Sequence, residues 1–332
     1  MTILENLTYE EDGLRLAGPC LWFEIFFEHA QGPEVLDFYE KARALLGTRL
    51  SHYDLGDGRT KRWSARAETL VPTWCGNPTY ARGKQYFMLL GGAPEGTSDA
   101  QIKIAFWPRK PDTEPEPGDV YPYSSVACSI PLDHPLLVED GVIDWLGELD
   151  IVANQAFISG SCGIAMNFSI DLPTMEQTNE ARRRVAAAIQ RYPGLDVPGY
   201  GIGIKNRLLR IEAQTGGDAP RYARRTFVKR VNWLTFLNRD QVALLDEQNQ
   251  FSSRIANLPD VMVRELKHGI AIRAGERPSI GDTAKGDWVS VYQSVGALVR
   301  PVRVESVTGS TLVYALEQDG VARWLGAFDT PQ

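Results

Sequence analysis

Residues 229–245 read KRVNWLTFLNRDQVALL, and the strand inside them constrains the fold more than any other stretch of the chain. Val231, Trp233, Thr235 and Leu237 alternate with Asn232, Leu234 and Phe236, so a strand over 227–237 is apolar on both faces. Such a strand must be covered on both sides, which calls for the interior of a sheet with further layers packed against it. Asn232 lies within the run, and a buried amide there is expected to satisfy neighbouring backbone groups rather than perform chemistry.

The rest of the chain supplies the other strands and the covering helices. LWFEIFF (21–27) is a β-rich run, and Gly32-Pro33 then opens a helix whose apolar face is Val35, Tyr39, Ala42 and Leu46. QYFMLL (85–90) and IKIAFW (102–107), joined by a loop of turn residues, predict a hairpin. The pattern then recurs: a strand at SVACSI (125–130), a helix through 136–149, an apolar run over 156–170, and a helix after Thr174 that ends at Pro193-Gly194. Thr174 and Gln177 have the spacing of a capping box. A short helix from Asp240, strands within 261–273 around His268-Gly269, and helices near 288–299 and 319–328 complete the reading. Strands often follow strands without an intervening helix, so the expected class is α+β, with mainly antiparallel sheets, packed helices and two related β-α-β-β units. KPDTEPEPGD (110–119), with three prolines and four acids, is the natural boundary between an N-terminal α+β subdomain over 1–110 and a C-terminal one over 111–332. One continuous domain is the alternative.

No run of about 18 apolar residues occurs, and the first residues, MTILENLTYEEDG, have neither a basic nor an apolar leader segment. A cytoplasmic location and no membrane partner are therefore expected. The net charge of −7 is unevenly spread. From Pro111 to Ala181 there are 13 carboxylates and no lysine or arginine, whereas residues 182–230 carry 12 basic groups against 3 acidic ones. Asymmetry of this kind bears on partners and association rates. With an acidic balance overall and no basic-aromatic alternation, direct nucleic-acid binding is not expected.

The residues for catalysis and metal binding are sparse. Cys20, Cys75, Cys128 and Cys162 form no CxxC pair and read as small buried hydrophobes. Cys162, in SGSCGIAM, is the one candidate nucleophile, but its neighbours do not make a nucleophile elbow and no histidine can be assigned to it. His134, between Asp133 and Pro135, reads as a capping residue. GYGIGIKN (199–206) lacks the third glycine of a dinucleotide fingerprint, and GDTAKGDW (281–288) has Asp287 where a phosphate loop needs lysine. Neither a cofactor nor a metal is expected.

The helix over 136–149 is more informative. Val138, Val142, Trp145 or Leu146, and Leu149 make an apolar face, while Asp140, Asp144 and Glu148 stand at i, i+4 and i+8 on another. Like charges at that spacing cost roughly 0.2–0.5 kcal/mol per pair, and Glu148 also opposes the helix dipole. A stripe that costs stability reads either as a solvated face or as a surface shaped for a basic partner.

VNWLTFL, preceded by RYPGLD (191–196) and followed by RPSIGDTAKGDWVSVYQSVGALVRPVR (277–303) and RWLGAFD (323–329), resembles the type VI immunity family, long known as a domain of unknown function. The resemblance covers about the last 150 residues. The N-terminal half is similar only in layout, and before VNWLTFL the chain has Arg230 where the family pattern has glycine. The resemblance implies an immunity protein that binds and neutralises a cognate antibacterial effector toxin of a type VI secretion system. It also implies a toxin of the nuclease kind acting in the cytoplasm, and no enzymatic activity of the protein itself. The contact surface expected on this reading is Asp112, Glu114, Glu116, Asp119, Tyr121, Tyr123, Glu139, Asp140, Asp144, Glu148 and Asp150, with Trp145 as a further aromatic anchor. The alternatives are a thiol-dependent enzyme using Cys162 and a non-catalytic adaptor of the secretion machinery.

Overall fold

A computed structural model of the chain describes residues 4–27, 32–56, 59–76, 86–92, 97–106, 124–137, 141–168, 174–198, 228–304, 316 and 318–329. The strands are β1 (Tyr9–Glu11), β2 (Leu14–Phe27), β3 (His52–Asp54), β4 (Lys61–Arg62), β5 (Tyr86–Gly91), β6 (Gln101–Phe106), β7 (Ser124–Ile130), β8 (Ser159–Phe168), β9 (Leu234–Asn238), β10 (Val261–Leu266) and β11 (Gly269–Ala274). They form one 11-stranded sheet in the order β10-β11-β9-β8-β2-β7-β6-β5-β3-β4, with β1 paired to β2. Every pairing is antiparallel. The helices are α1 (Gly32–Leu46), α2 (Ala65–Glu68), α3 (Leu70–Gly76), α4 (Gly141–Glu148), α5 (Asp150–Ala153), α6 (Met175–Arg191), α7 (Arg239–Asn249), α8 (Phe251–Ile255), α9 (Ser290–Val299) and α10 (Gln318–Leu325). The architecture is α+β, as the succession of strand and helix signals requires.

The register explains where the core lies. Directly opposed residues of antiparallel strands share a face. One row runs Met262, Arg273, Leu234, Cys162, Phe23, Cys128, Ile102 and Leu90 across eight neighbouring strands. The middle of this row is sealed by α1 and α4: the Phe23 ring packs on Phe38 at 6.2 Å between centroids and edge-on to Trp145 at 6.4 Å. The α1 face expected from the sequence, Val35, Tyr39, Ala42 and Leu46, is buried, as is Phe38 between them. Burial of each such large side chain contributes about 1.5–3 kcal/mol. At the other end of the sheet α7 and α9 pack on β11, with Leu245, Val295 and Leu298 buried. There β9 lies between β11 and β8, and all five of its residues are buried.

Two local readings need correction. The strand expected over 227–237 pairs only from Leu234 to Asn238, and Val228 makes an isolated parallel bridge to Arg303. Between them the backbone turns to side-chain partners: Asn232 Oδ1 accepts from the Trp233 N–H at 2.9 Å, and Thr235 Oγ1 accepts from the Asn232 N–H at 3.1 Å. Such bonds compete with a ladder and end it. The helix expected over 136–149 is a 3-10 turn at Pro135–Leu137 followed by α4, with residues 138–140 outside the described ones. His134 does cap this turn, since Nδ1 accepts from the Leu136 N–H at 3.1 Å while Nε2 meets the Leu45 carbonyl at 3.2 Å. Thr174 and Gln177 form both bonds of the capping box on α6.

Candidate protein-interaction surface

Two regions gather charged and aromatic side chains, and they differ in kind. The first is buried and collects the sequence motifs. Arg191 of RYPGLD makes a two-pronged ion pair with Asp282, both bonds 3.0 Å, and this guanidinium holds the Asp282 carboxyl below the usual carboxylate range. Asp196 accepts from Asn232 Nδ2 at 3.0 Å and from the Val197 N–H at 2.8 Å, and pairs with Lys229 Nζ at 2.5 Å. Arg230 donates to the Pro193 carbonyl, and its guanidinium lies between the rings of Trp324, at 4.6 Å, and Phe328, at 4.5 Å. Burial pushes Arg230 down to about 10 while Asp196 opposes the shift. The Trp324 indole N–H reaches the Leu195 carbonyl at 3.2 Å, and Arg303 pairs with Asp329.

Close approach explains two glycines of this node. A Cβ on Gly163 would stand 1.8 Å from Asn232 Oδ1, where β9 parts from β8, and one on Gly194 would stand 2.2 Å from the Ser279 carbonyl. Asp196, Asn232, Arg230, Lys229 and Asp282 are each less than a tenth exposed. This arrangement ties the ends of four chain segments together. Most of these polar groups bond within the protein, although Arg191 is half exposed and Arg230 Nη1 has no hydrogen-bond partner among the described residues.

The second region is exposed and includes α4 and α5. Val142, Trp145, Leu146, Leu149, Ile151 and Val152 face inward, whereas Asp144, Glu148 and Asp150 are exposed. Asp144 lies in the first turn of α4, where the dipole favours an anion. At the other end Lys41 of α1 donates to the Glu148 carbonyl and pairs with Asp37 at 2.7 Å, placing a cation at the helix C-terminus, where the dipole favours it and disfavours the Glu148 carboxylate. Asp37 also accepts from the Asp150 N–H at 3.0 Å, which fixes the corner between the two helices. Trp145 is turned inward, 9% exposed and packed on Phe23, so it is a core residue and not an anchor presented to a partner. Asp112, Glu114, Glu116, Asp119, Tyr121, Tyr123, Glu139 and Asp140 lie outside the described residues.

Beside this corner the sheet runs out from under its helices. A groove of about 210 Å³ opens there. Its floor is Leu234, Phe236 and Ala271, and Ile143, Leu146 and Val152 form the helical wall. The opposite rim is β10, with Met262, Arg264 and Leu266, while Asp144 and Arg273 also line the opening. Among the described residues β10 is the last strand of the sheet, and Met262 and Val263 are 59% and 38% exposed. The sequence predicts strands within 261–273 but does not single this one out as an edge. Its signal is that neither alternate set, Val261-Val263-Glu265 nor Met262-Arg264-Leu266, is apolar throughout, as expected of a strand at an edge.

The thiols fit no reactive site. Cys162 is fully buried on β8 between Phe23 and Leu234, and burial raises it well above the ordinary thiol range; the same cause pushes Cys20 up to about 12. A reactive cysteine needs the opposite environment. Among the described residues no group of three or more His, Cys, Asp or Glu is placed to hold a metal ion, and no helix is long and apolar enough to cross a membrane.

The sheet with its flanking helices is the fold of a solved secretion-system protein. The structure of Pseudomonas aeruginosa T6SS protein PA0821 superposes with a TM-score of 0.69 over 97% of this chain and 84% of that one, at 19% sequence identity. The chain belongs to the TsiV family, type VI immunity for VRR-NUC, whose sequence model matches residues 148–327, more than half of its length. It is therefore a type VI immunity protein of the kind directed at a VRR-NUC nuclease effector. Comparison with curated proteins gives no match.

Proposed function

We propose that this protein is a non-catalytic inhibitor that binds its cognate VRR-NUC effector in the cytoplasm and blocks it by direct contact, led by the carboxylates between residues 112 and 150. What supports this reading is the display of Asp144, Glu148 and Asp150 on the outer side of α4 and α5 in a chain of the TsiV family. A nuclease holds phosphates with basic groups, and an acidic surface meets such a face with fast, salt-sensitive association. Asp112, Glu114, Glu116, Asp119, Tyr121, Tyr123, Glu139 and Asp140 extend the same acidic and aromatic stretch along the chain. The segments before and after residue 110 act on this reading as one continuous immunity domain, since β2 pairs with both β7 and β8. The burial of Cys162 speaks against a thiol-dependent activity.

Reversing Asp140, Asp144 and Glu148 to lysine together is expected to slow effector association and sensitise cells to the toxin, with the loss growing smaller as salt is raised. Stopped-flow association and a survival assay measure this. Full protection by the folded triple variant would move the contact elsewhere.

A further inference from the structure

The groove beside α4 has features that the acidic reading does not use. Its floor and helical wall are apolar, yet Arg264 stands at its rim with the guanidinium over Gly147, so close that a Cβ there would lie 2.6 Å from Nη1. Arg264 is exposed and makes no ion pair among the described residues, which leaves its guanidinium open to an anion from outside. Arg273, one strand further in and opposite Met262 in the ladder, adds a second cation to the same opening. The outer edge of β10 has no strand beside it among the described residues, and it exposes Met262 and Val263 beside the charged Arg264 and Glu265, with no proline in the strand. An extended segment laid on such an edge gains main-chain hydrogen bonds and directs alternate side chains to one face.

We infer that β10 and the groove behind it form a docking site for an extended segment of the effector, which seats an apolar side chain on Leu234, Phe236 and Ala271 and sets a neighbouring carboxylate against Arg264. The inference rests on the proposed function, since the segment belongs to the same partner. It gives that partner a chemistry: basic where it faces Asp144 and Glu148, and apolar with an acidic neighbour where it meets the edge strand. The acidic helices speed and orient the encounter, while the groove supplies the apolar burial that slows dissociation.

The test measures binding of the full-length protein to a cleavage-inactive form of its cognate VRR-NUC nuclease, by calorimetry. Arg264→Glu and Ala271→Leu, the second filling the groove without touching charge, are each expected to weaken binding by at least about tenfold. Met175→Glu, at a methionine 70% exposed on α6, serves as the control and leaves binding unchanged. Thermal melts establish that each variant is folded, and Arg264→Lys, which keeps the charge, retains more affinity than Arg264→Glu. If the parent binds and both groove variants bind within about twofold of it, the groove is not the site and the inference is overturned while the proposed function stands. If sedimentation shows that the variants alter self-association and not effector binding, β10 is instead a seam between copies of this chain, which also overturns it. A parent protein that fails to bind the nuclease removes the proposed function itself, and the inference with it.

Discussion

The buried node around Asp196 and the exposed corner at α4 and β10 use similar residue types for opposite ends. In the node, Lys229, Arg230 and Asp196 are all but sealed from solvent, and their hydrogen bonds go to one another, to backbone groups or to Asn232. At the corner, Asp144, Glu148 and Asp150 are exposed, and Arg264 stands at the rim of a largely apolar groove with no ion pair among the described residues. Charges of the first kind hold a fold together, because removing one strands the others in a low dielectric. Charges of the second kind remain available to a partner. The motifs that mark the family thus describe how the scaffold is tied, and the proposed function places recognition on a surface they do not name.

The comparison breaks if substitutions in the node leave stability intact or those at the corner destroy it. The largest effect is expected for Asp196→Ala, which leaves Lys229 buried without its carboxylate and takes an acceptor from Asn232 and from the Val197 N–H. Urea unfolding should show a loss of about 3–5 kcal/mol. The fraction that remains folded should bind effector as the parent does. A loss under about 1 kcal/mol would mean that the node is incidental. Next comes Thr174→Ala, which removes one half of the capping box on α6 and should cost about 1 kcal/mol by the same measurement. The smallest change in stability belongs to the lysine reversals at Asp144 and Glu148, which lie on solvent and should stay within about 0.5 kcal/mol of the parent even though association slows.

How far the sequence revealed this arrangement differs between the two regions. Elements with a strong period or a cap could be read directly: the α1 face through Val35, Tyr39, Ala42 and Leu46, the capping box at Thr174 and Gln177, and the hairpin of β5 and β6. The two-faced apolar strand correctly implied an interior position, but its first half could not be read. Asn232 and Thr235 bond to local backbone, and that competition depends on Asp196 and Gly163, which reach the site only through the fold. Arg230, standing where the family pattern has glycine, found its place between Trp324 and Phe328, almost a hundred residues away in the chain. Trp145 looked like an anchor because it lies beside the acidic stripe, and only the packing against Phe23 shows that it faces inward. The groove left the least trace, since it exists where β10 and β11 extend beyond the cover of α4, and coverage is a property of the assembled layers.

The central claim is that the protein protects by occupying the nuclease rather than by acting on it. Titrating a fixed amount of the active effector with this protein, and following DNA cleavage at each ratio, tests that claim most directly. Cleavage should fall in a straight line and vanish near one equivalent, with Cys162→Ala giving the same line. Complete loss of cleavage at a small fraction of an equivalent would mean turnover, and cleavage undiminished at excess would mean that the effector is not its target.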